Sequence, residues 1–404
     1  MEKIELLAPA GDFNKLKTAF YFGADAVYCG GKSFGLRAQA GNFSDEELIN
    51  ATLYAHERGK KIYVTVNVLA RNGDIDELGE YLKFLEKTGI DGAIISDAGV
   101  ISLSKEVAPA LKINLSTQAS ALNYKAVEFW KNQGVKRVIL ARELSLKEIK
   151  EIREKVSGIE IETFIHGAMC ISYSGRCLLS DYRTGRSSNR GECVQACRWN
   201  YEIRERGSSG AFMTVEEDGR GTYILNSKDL NLIDYIGELA DAGVCSFKIE
   251  GRMKSEYYIA TVVNAYRRAI DAYYRAGEKY KEDRTFYTET EKTAHREFTT
   301  AYLLGENDRT ENFDDSQSKG THKFIAVVTE SGAGYAVAEM RNRFKTGDVL
   351  EVLSPTESFN KELTVGKMET MNGETIEDVK NVQQKVKIFT EIPLRAGDIL
   401  RIKA

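Results

Sequence analysis

The sequence predicts an α/β protein, a TIM-type (β/α)8 barrel followed by a small antiparallel β-barrel domain. Three observations predict this fold. Short apolar runs alternate with amphipathic stretches as far as residue 276. A segment that holds most of the cysteines interrupts this alternation before the last strand. After residue 320 the helical pattern ends, and Gly, Asn and Asp turn signals separate most of the short β-type runs that follow.

The barrel strands recur at the spacing of right-handed βαβ units, and a helical pattern follows most of them. The eight predicted strands are residues 4–9, 25–29, 61–67, 92–96, 113–116, 137–142, 159–166 and 245–250. No G-x-G-x-x-G motif follows the first strand, so a closed barrel is favoured over an open dinucleotide-binding sheet. In a barrel of this type the loops after the strands form the active face, so we expect the chemistry there.

Three regions follow from this pattern. Residues 1–277 are predicted to form the barrel, with a Cys-rich insertion at about 168–244. Residues 278–320 are predicted to connect the domains on the surface, and 321–404 to form the small β-barrel.

The composition is that of an ordinary globular protein, with 404 residues, 42% hydrophobic and 29% charged. No apolar run approaches the ~20 residues of a membrane span, and the first residues lack the pattern of a signal peptide. We therefore expect a cytoplasmic protein with no membrane partner. The net charge of −4 argues against a protein coated in positive charge, although a local basic patch would suffice for nucleic acid.

Four of the six cysteines, Cys170, Cys177, Cys193 and Cys197, are clustered in the insertion. Thiolates are ligands for zinc or iron–sulfur clusters. Structural zinc sites use tight C-x2–4-C pairs, and only Cys193 and Cys197 have that spacing. The wider spacing favours a 4Fe-4S cluster, with zinc and a metal-free loop as the alternatives.

Two segments around these cysteines carry a family resemblance. Residues 162–170 (ETFIHGAMC) and 175–180 (GRCLLS) resemble the signature of the collagenase-like peptidases, family U32. Flanking segments agree: 7–11 (LAPAG), 226–230 (NSKDL) and 247–252 (FKIEGR). The resemblance covers essentially the whole chain. It implies a barrel with a small C-terminal β domain and a 4Fe-4S cluster on the four clustered cysteines.

The family resemblance implies several activities. The family name implies collagen-directed proteolysis, whereas other members act in hydroxylation of tRNA, of ribosomal RNA or of ubiquinone. A single barrel with one short β tail is most similar to the tRNA group, which makes 5-hydroxyuridine at the wobble position and depends on prephenate. The resemblance therefore implies tRNA as partner and prephenate as a small dicarboxylate co-substrate. A peptidase and a partner-dependent binding subunit with a structural cluster are the alternatives, and a homo- or hetero-oligomer is left open.

The residues themselves give little support to metal-dependent hydrolysis, because the H-E-x-x-H motif is absent. Cys170 and His166 would make a nucleophile–base pair only if Cys170 were free of a cluster. The candidate catalytic residues are His166 and Glu162 on the seventh strand. We expect His166 to orient the cluster loop or the substrate, and for Glu162 a structural role is the favoured alternative.

Basic residues supply the candidate binding groups. Arg183, Arg186, Arg190 and Arg198 interleave with aromatic residues in the insertion, a pattern typical of phosphate contact and base stacking. The alternative is that they offset the negative charge of the thiolates. A small dicarboxylate needs fixed donors near the strand ends. The candidates are Arg37, Gln118, Arg142, Lys248 and Arg252, and rim ion pairs are the alternative for the basic ones.

Overall fold

The computed structural model describes residues 3–36, 41–199, 227–305 and 318–404. Its larger domain is the predicted closed barrel of eight parallel strands. The strands of this domain are β1 (Glu5–Pro9), β2 (Ala26–Gly30), β3 (Lys61–Val66), β4 (Gly92–Ile95), β5 (Ile113–Leu115), β6 (Arg137–Ile139), β7 (Glu160–Ala168), β8 (Asp229–Asn231), β9 (Ser246–Ile249) and β10 (Phe298–Thr299). The helices are α1 (Phe13–Tyr21), α2 (Asp45–His56), α3 (Ile75–Thr88), α4 (Ala98–Val107), α5 (Tyr124–Asn132), α6 (Leu146–Lys155), α7 (Leu179–Thr184), α8 (Ile236–Asp241), α9 (Glu256–Ala276) and α10 (Arg284–Thr290).

Barrel closure joins the first strand to the last. Strands β1 to β7 pair in chain order, β7 pairs with β9, and β9 returns to β1 with Glu5 opposite Ser246. Every residue of β1, β2 and β9 is buried, because one face of each strand lines the interior and the helices cover the other. The eighth strand therefore lies where the sequence predicts it.

The cysteine insertion leaves and rejoins the barrel at the same strand. Strand β7 is nine residues long, and its last residues pair antiparallel with β8, with Ala168 opposite Asp229. Strand β10 then pairs parallel with β8. The segment predicted as a surface connection therefore contributes β10 and α10 to the domain, and Glu289 and Thr290 of α10 are buried.

The C-terminal domain is antiparallel, as predicted. Its strands are β11 (His322–Gly332), β12 (Tyr335–Met340), β13 (Phe344–Lys345), β14 (Val349–Leu353), β15 (Glu362–Thr364), β16 (Met368–Thr370), β17 (Asp378–Val379), β18 (Lys385–Phe389) and β19 (Ile399–Lys403). Seven of them form a half-barrel sheet in the order β15-β14-β19-β11-β12-β18-β16, and β13 pairs with β17. Buried Arg401 of β19 contacts Glu289 of α10 at 2.6 Å, which ties this domain to the barrel.

Across the described ranges, none of the helices combines the length and the apolar character needed to cross a membrane.

Candidate functional site

A cavity of about 210 Å³ lies at the carboxyl ends of the barrel strands, the end at which barrel enzymes place their active sites. It is lined by thiols from the insertion and by polar or cationic side chains from the barrel. The predicted site residues among its lining are Cys170, Cys177, Cys193, Cys197, Gln118, Arg142, Arg198, Lys248 and Arg252. Among the described lining residues Glu250 is the only acid, so the cavity is electropositive.

The four clustered cysteines all face this one cavity although the sequence separates them. Two of their sulfur atoms accept backbone hydrogen bonds: Leu179 N–H donates to Cys177 Sγ at 3.3 Å, and Gln195 N–H donates to Cys193 Sγ at 3.4 Å. Such bonds stabilise sulfur that carries negative charge. Burial and the three neighbouring thiols raise the pKa of Cys197 to about 11. A cation bound among the sulfurs would favour the thiolate forms.

The spacing of the donors bears on which metal group they fit. A single zinc ion with bonds of about 2.3 Å needs four sulfurs roughly 3.8 Å apart. In the part of the chain that the structure describes, no three His, Cys, Asp or Glu side chains are gathered to hold one metal ion. Four thiols around a shared cavity suit a polynuclear cluster, whose irons spread the ligands, better than a single ion.

Side chains of the barrel rim hold the insertion in place. Arg190 makes a bidentate pair with Asp74 at 2.7 and 3.0 Å and also donates to the Leu69 carbonyl. The Arg190 guanidinium lowers the pKa of Asp74 to about 2. On the other side, Glu143 accepts from the N–H and the hydroxyl of Ser174 at 2.7 and 2.9 Å. Arg190, predicted to contact RNA, is therefore engaged in tethering the cysteine segment to the barrel.

The predicted donors for a small carboxylate converge on the cavity. Arg142 follows β6, donates from Nη1 to the Ala168 carbonyl at 2.9 Å and has its Cζ 5.1 Å from the Phe164 ring centroid. Its Nε atom is buried and lacks a hydrogen-bond partner within the described ranges. Gln118 accepts from Asn67 Nδ2 at 3.1 Å, which leaves its amide nitrogen as the donor.

Arg252 approaches the barrel wall closely. Its side chain is buried, and Nη1 donates to Thr65 Oγ1 at 2.9 Å. A Cβ at Gly30 would lie 2.3 Å from Nη1, so glycine at the end of β2 makes room for the guanidinium. Arg37, the fifth predicted donor, lies outside the described residues.

Glu162 lies within the barrel and is not among the cavity-lining residues. Its carboxylate is fully buried, accepting from Arg137 Nη1 at 3.0 Å and from Lys248 Nζ at 3.0 Å. Arg137 also pairs with Glu5, so four charged side chains form a network inside the barrel. This geometry favours the structural alternative for Glu162, with Lys248 linking the network to the cavity.

His166 is buried away from the cavity. Its Nδ1 lies 3.3 Å from the Tyr266 hydroxyl, and its ring packs against Tyr258, Tyr266 and Phe298. The pairing of β7 with β9 is irregular between Phe164 and His166, and this shift takes His166 out of the inward-facing alternation. The structure therefore brings no His166–Cys170 pair together at the cavity, and the geometry favours a packing role for His166.

The His166 environment predicts acid sensitivity. Burial lowers the pKa of His166 to about 3, below its ordinary value of 6.5. Between about pH 6.5 and pH 3 the imidazole is protonated in the unfolded chain and neutral in the folded chain. The free energy of unfolding therefore falls as the pH drops through this range. We expect this group to remove about 2 kcal/mol of unfolding free energy between pH 7 and pH 5. Urea unfolding of wild type and His166→Gln at both pH values measures it. Equal losses in the two proteins would contradict the prediction.

The outer surface of the insertion is apolar and basic. Tyr173, Leu178, Tyr182 and Trp199 are exposed by 53, 73, 86 and 40%. Arg183 and Arg186 are exposed on the same segment, at and just beyond the end of α7. Of the four arginines predicted to contact RNA, these two lie on the surface, whereas Arg198 lines the cavity and Arg190 binds Asp74.

Several cavity residues were not predicted. Tyr28, Asn67 and Phe164 line the cavity, and Arg137 supports Glu162 beneath it. Asn67 directly follows β3, and a polar residue just past a barrel strand is the sequence feature by which it could have been predicted. In the sequence, Tyr28 and Phe164 have no feature that distinguishes them from other strand residues. Only the closed barrel shows that they face inward.

The fold and the cysteine-lined cavity define a barrel protein with a metal-type donor set at its active face, and the comparisons identify its family. The model of peptidase family U32 matches residues 11–312, and that of the family's C-terminal domain matches 320–401. The chain therefore belongs to peptidase family U32.

Individual relatives carry names from RNA modification. The chain is 42% identical to tRNA hydroxylation protein P1 of Bacillus subtilis, over 99% of this chain and 95% of that protein. It is 38% identical to tRNA hydroxylation protein P of Escherichia coli, over 93 and 91%. It is 33% identical to a 23S rRNA 5-hydroxycytidine synthase of Escherichia coli, over 87 and 52%. A solved U32 peptidase structure aligns with 62% of this chain and 94% of its own, at 13% identity and a TM-score of 0.43.

Proposed function

We propose that this protein is an iron–sulfur tRNA-modifying enzyme that hydroxylates C5 of the wobble uridine with prephenate as co-substrate. The observation that carries the proposal is the shared cavity, where all four clustered cysteines and four cationic side chains meet. Similarity to tRNA hydroxylation proteins along nearly the full chain supports the choice of tRNA.

The cysteines supply the metal site of this proposal. Cys170, Cys177, Cys193 and Cys197 would hold a 4Fe-4S cluster. When bound, the cluster would supply electron-transfer chemistry at the cavity.

The barrel residues bind the small co-substrate. Prephenate carries two carboxylates, and Arg142, Arg198 and Arg252 are placed around the cavity to bind such groups. The buried Nε of Arg142, without a partner in the described ranges, gains one when a carboxylate binds. Gln118 donates from its amide nitrogen and fixes the orientation.

The insertion surface contacts the RNA. Arg183 and Arg186 bind backbone phosphates, and Tyr182 and Trp199 stack on unpaired bases of the anticodon loop. The target uridine leaves its stack and enters the cavity, since chemistry on a base requires access to its ring.

The test is nucleoside analysis of tRNA from a strain that lacks the gene. We expect 5-hydroxyuridine and its derivatives to disappear and to return with the wild-type gene. A gene carrying both Arg183→Gln and Arg186→Gln is expected to restore the modification poorly, whereas Lys345→Gln on the C-terminal domain restores it fully. Unchanged tRNA nucleosides after deletion would overturn the proposal.

The cavity geometry does not favour the peptidase alternative. A cysteine nucleophile needs a base within hydrogen-bond reach, and His166 is buried outside the cavity that Cys170 lines.

A further inference from the structure

The amine of Lys248 is buried and lines the cavity. Lys248 lies on β9, and its side chain is 4% exposed. Its Nζ lies 4.5 Å from the Tyr28 ring centroid and 5.4 Å from the Phe164 ring centroid. The amine therefore faces the cavity between two aromatic rings and is largely shielded from solvent.

We propose that Lys248 is a nucleophile that forms an imine with the ketone of a 2-oxo acid bound in the cavity. This proposal rests on the proposed function only in using the same cavity. It adds a covalent step and a substrate class, a carboxylate with a neighbouring carbonyl.

Burial of Lys248 makes its ammonium proton easier to remove. Burial lowers the pKa of Lys248, Glu162 opposes that shift, and Arg137 adds to it. A lysine that is desolvated and lies near another cation is the ordinary form of an imine-forming residue. Glu162 lies 3.0 Å from Nζ, within hydrogen-bond distance for taking the ammonium proton.

The cationic neighbours select for a carboxylate beside the carbonyl. Arg142 and Lys248 both contact the ring of Phe164, so one small molecule in a cavity of about 210 Å³ reaches both. A carboxylate on Arg142 satisfies its Nε, which is buried without a partner among the described residues. An aldehyde or ketone without a carboxylate lacks this anchor.

The step balances without an oxidant or reductant. Nζ gives a proton to Glu162 and adds to the carbonyl carbon, forming the C–N bond. The oxygen takes a second proton from the attached nitrogen to become a hydroxyl, and then takes the proton returned by Glu162 and leaves as water. Loss of that water gives the C=N bond of the imine.

Reductive trapping tests the proposal on the full-length, anaerobically purified protein. Pyruvate is added with sodium cyanoborohydride, and peptides are mapped by mass spectrometry. We expect one carboxyethyl group on Lys248 and less on any other lysine, because burial lowers the pKa of Lys248 and its amine lines the cavity. Lactate, which has no ketone, is expected to give no adduct.

Variants separate this lysine from the rest. Lys248→Arg is expected to abolish the adduct, Arg142→Gln to reduce it at least about tenfold, and Lys125→Arg on the surface to leave it unchanged. Mapping of wild-type peptides needs no variant, so a misfolded Lys248→Arg protein does not obscure the result. Adduct spread evenly over surface lysines, or none on Lys248 at saturating pyruvate, would overturn the proposal. Trapping requires no tRNA, so it fails or succeeds separately from wobble hydroxylation.

Discussion

Replacing any one of Cys170, Cys177, Cys193 or Cys197 by serine is expected to abolish wobble-uridine hydroxylation. A serine hydroxyl is a poor ligand for a soft metal centre, so each replacement removes one of four ligands from the same group. Wild-type protein purified without oxygen is expected to hold about four irons and four sulfides per chain, and each variant to hold far less. The measurements are iron and sulfide content, the visible spectrum and tRNA nucleosides after complementation.

Cys245 provides the matched control for these variants. Its Sγ donates to the Ile161 carbonyl at 3.2 Å, a bond that serine can reproduce, and it does not line the cavity. Cys245→Ser is therefore expected to keep both the metal and the modification. Zinc alone, or no metal after anaerobic purification and reconstitution, would contradict the cluster. Peptide cleavage that is lost only with Cys170 would favour the peptidase, and unfolding of all four variants would favour a structural cluster.

Glu162→Ala is expected to destabilise the barrel by about 3–5 kcal/mol, because it leaves Arg137 and Lys248 as buried cations without that carboxylate. Glu162 is fully buried, so water cannot replace the lost partner. The measurement is the free energy of unfolding in urea, taken on wild type and variant under the same anaerobic conditions.

An exposed ion pair is the control for this prediction. Lys125 and Glu128 lie 2.8 Å apart on the surface of α5, and Glu128→Ala is expected to leave the unfolding free energy within experimental error. If Glu162→Ala were equally silent, the network inside the barrel would not contribute to stability as argued.

Barrel strands and their covering helices are the features that the sequence predicts well. Residues 245–250 are predicted as the eighth strand, and β9 spans Ser246–Ile249; the amphipathic pattern that extends to residue 276 is α9, Glu256–Ala276. Both elements are continuous apolar or amphipathic patterns, so the local sequence shows which of their residues must be buried. The sequence also shows the four cysteines close together in an insertion after a barrel strand, and all four line one cavity.

Features that depend on contacts between distant segments were not predictable. Strict alternation along β7 would place His166 on the same face as Glu162 and Phe164, but the irregular pairing with β9 turns it outward. Arg190 read as one of several basic residues, and only the folded chain shows that Asp74 holds it. Strand β8 is three residues long and lacks a recognisable pattern, because its pairing with β7 defines it.

Because Ala168 pairs with Asp229, the cysteine segment is a self-contained insertion in the barrel scaffold. The segment enters and leaves at adjacent positions, and the barrel closes independently through β7 and β9. Segments with neighbouring ends are the ones that evolution lengthens, shortens or exchanges without disturbing the scaffold. The insertion, which carries the thiols and the exposed aromatic residues, can therefore diversify in sequence and length. The barrel scaffold meanwhile retains its basic cavity wall.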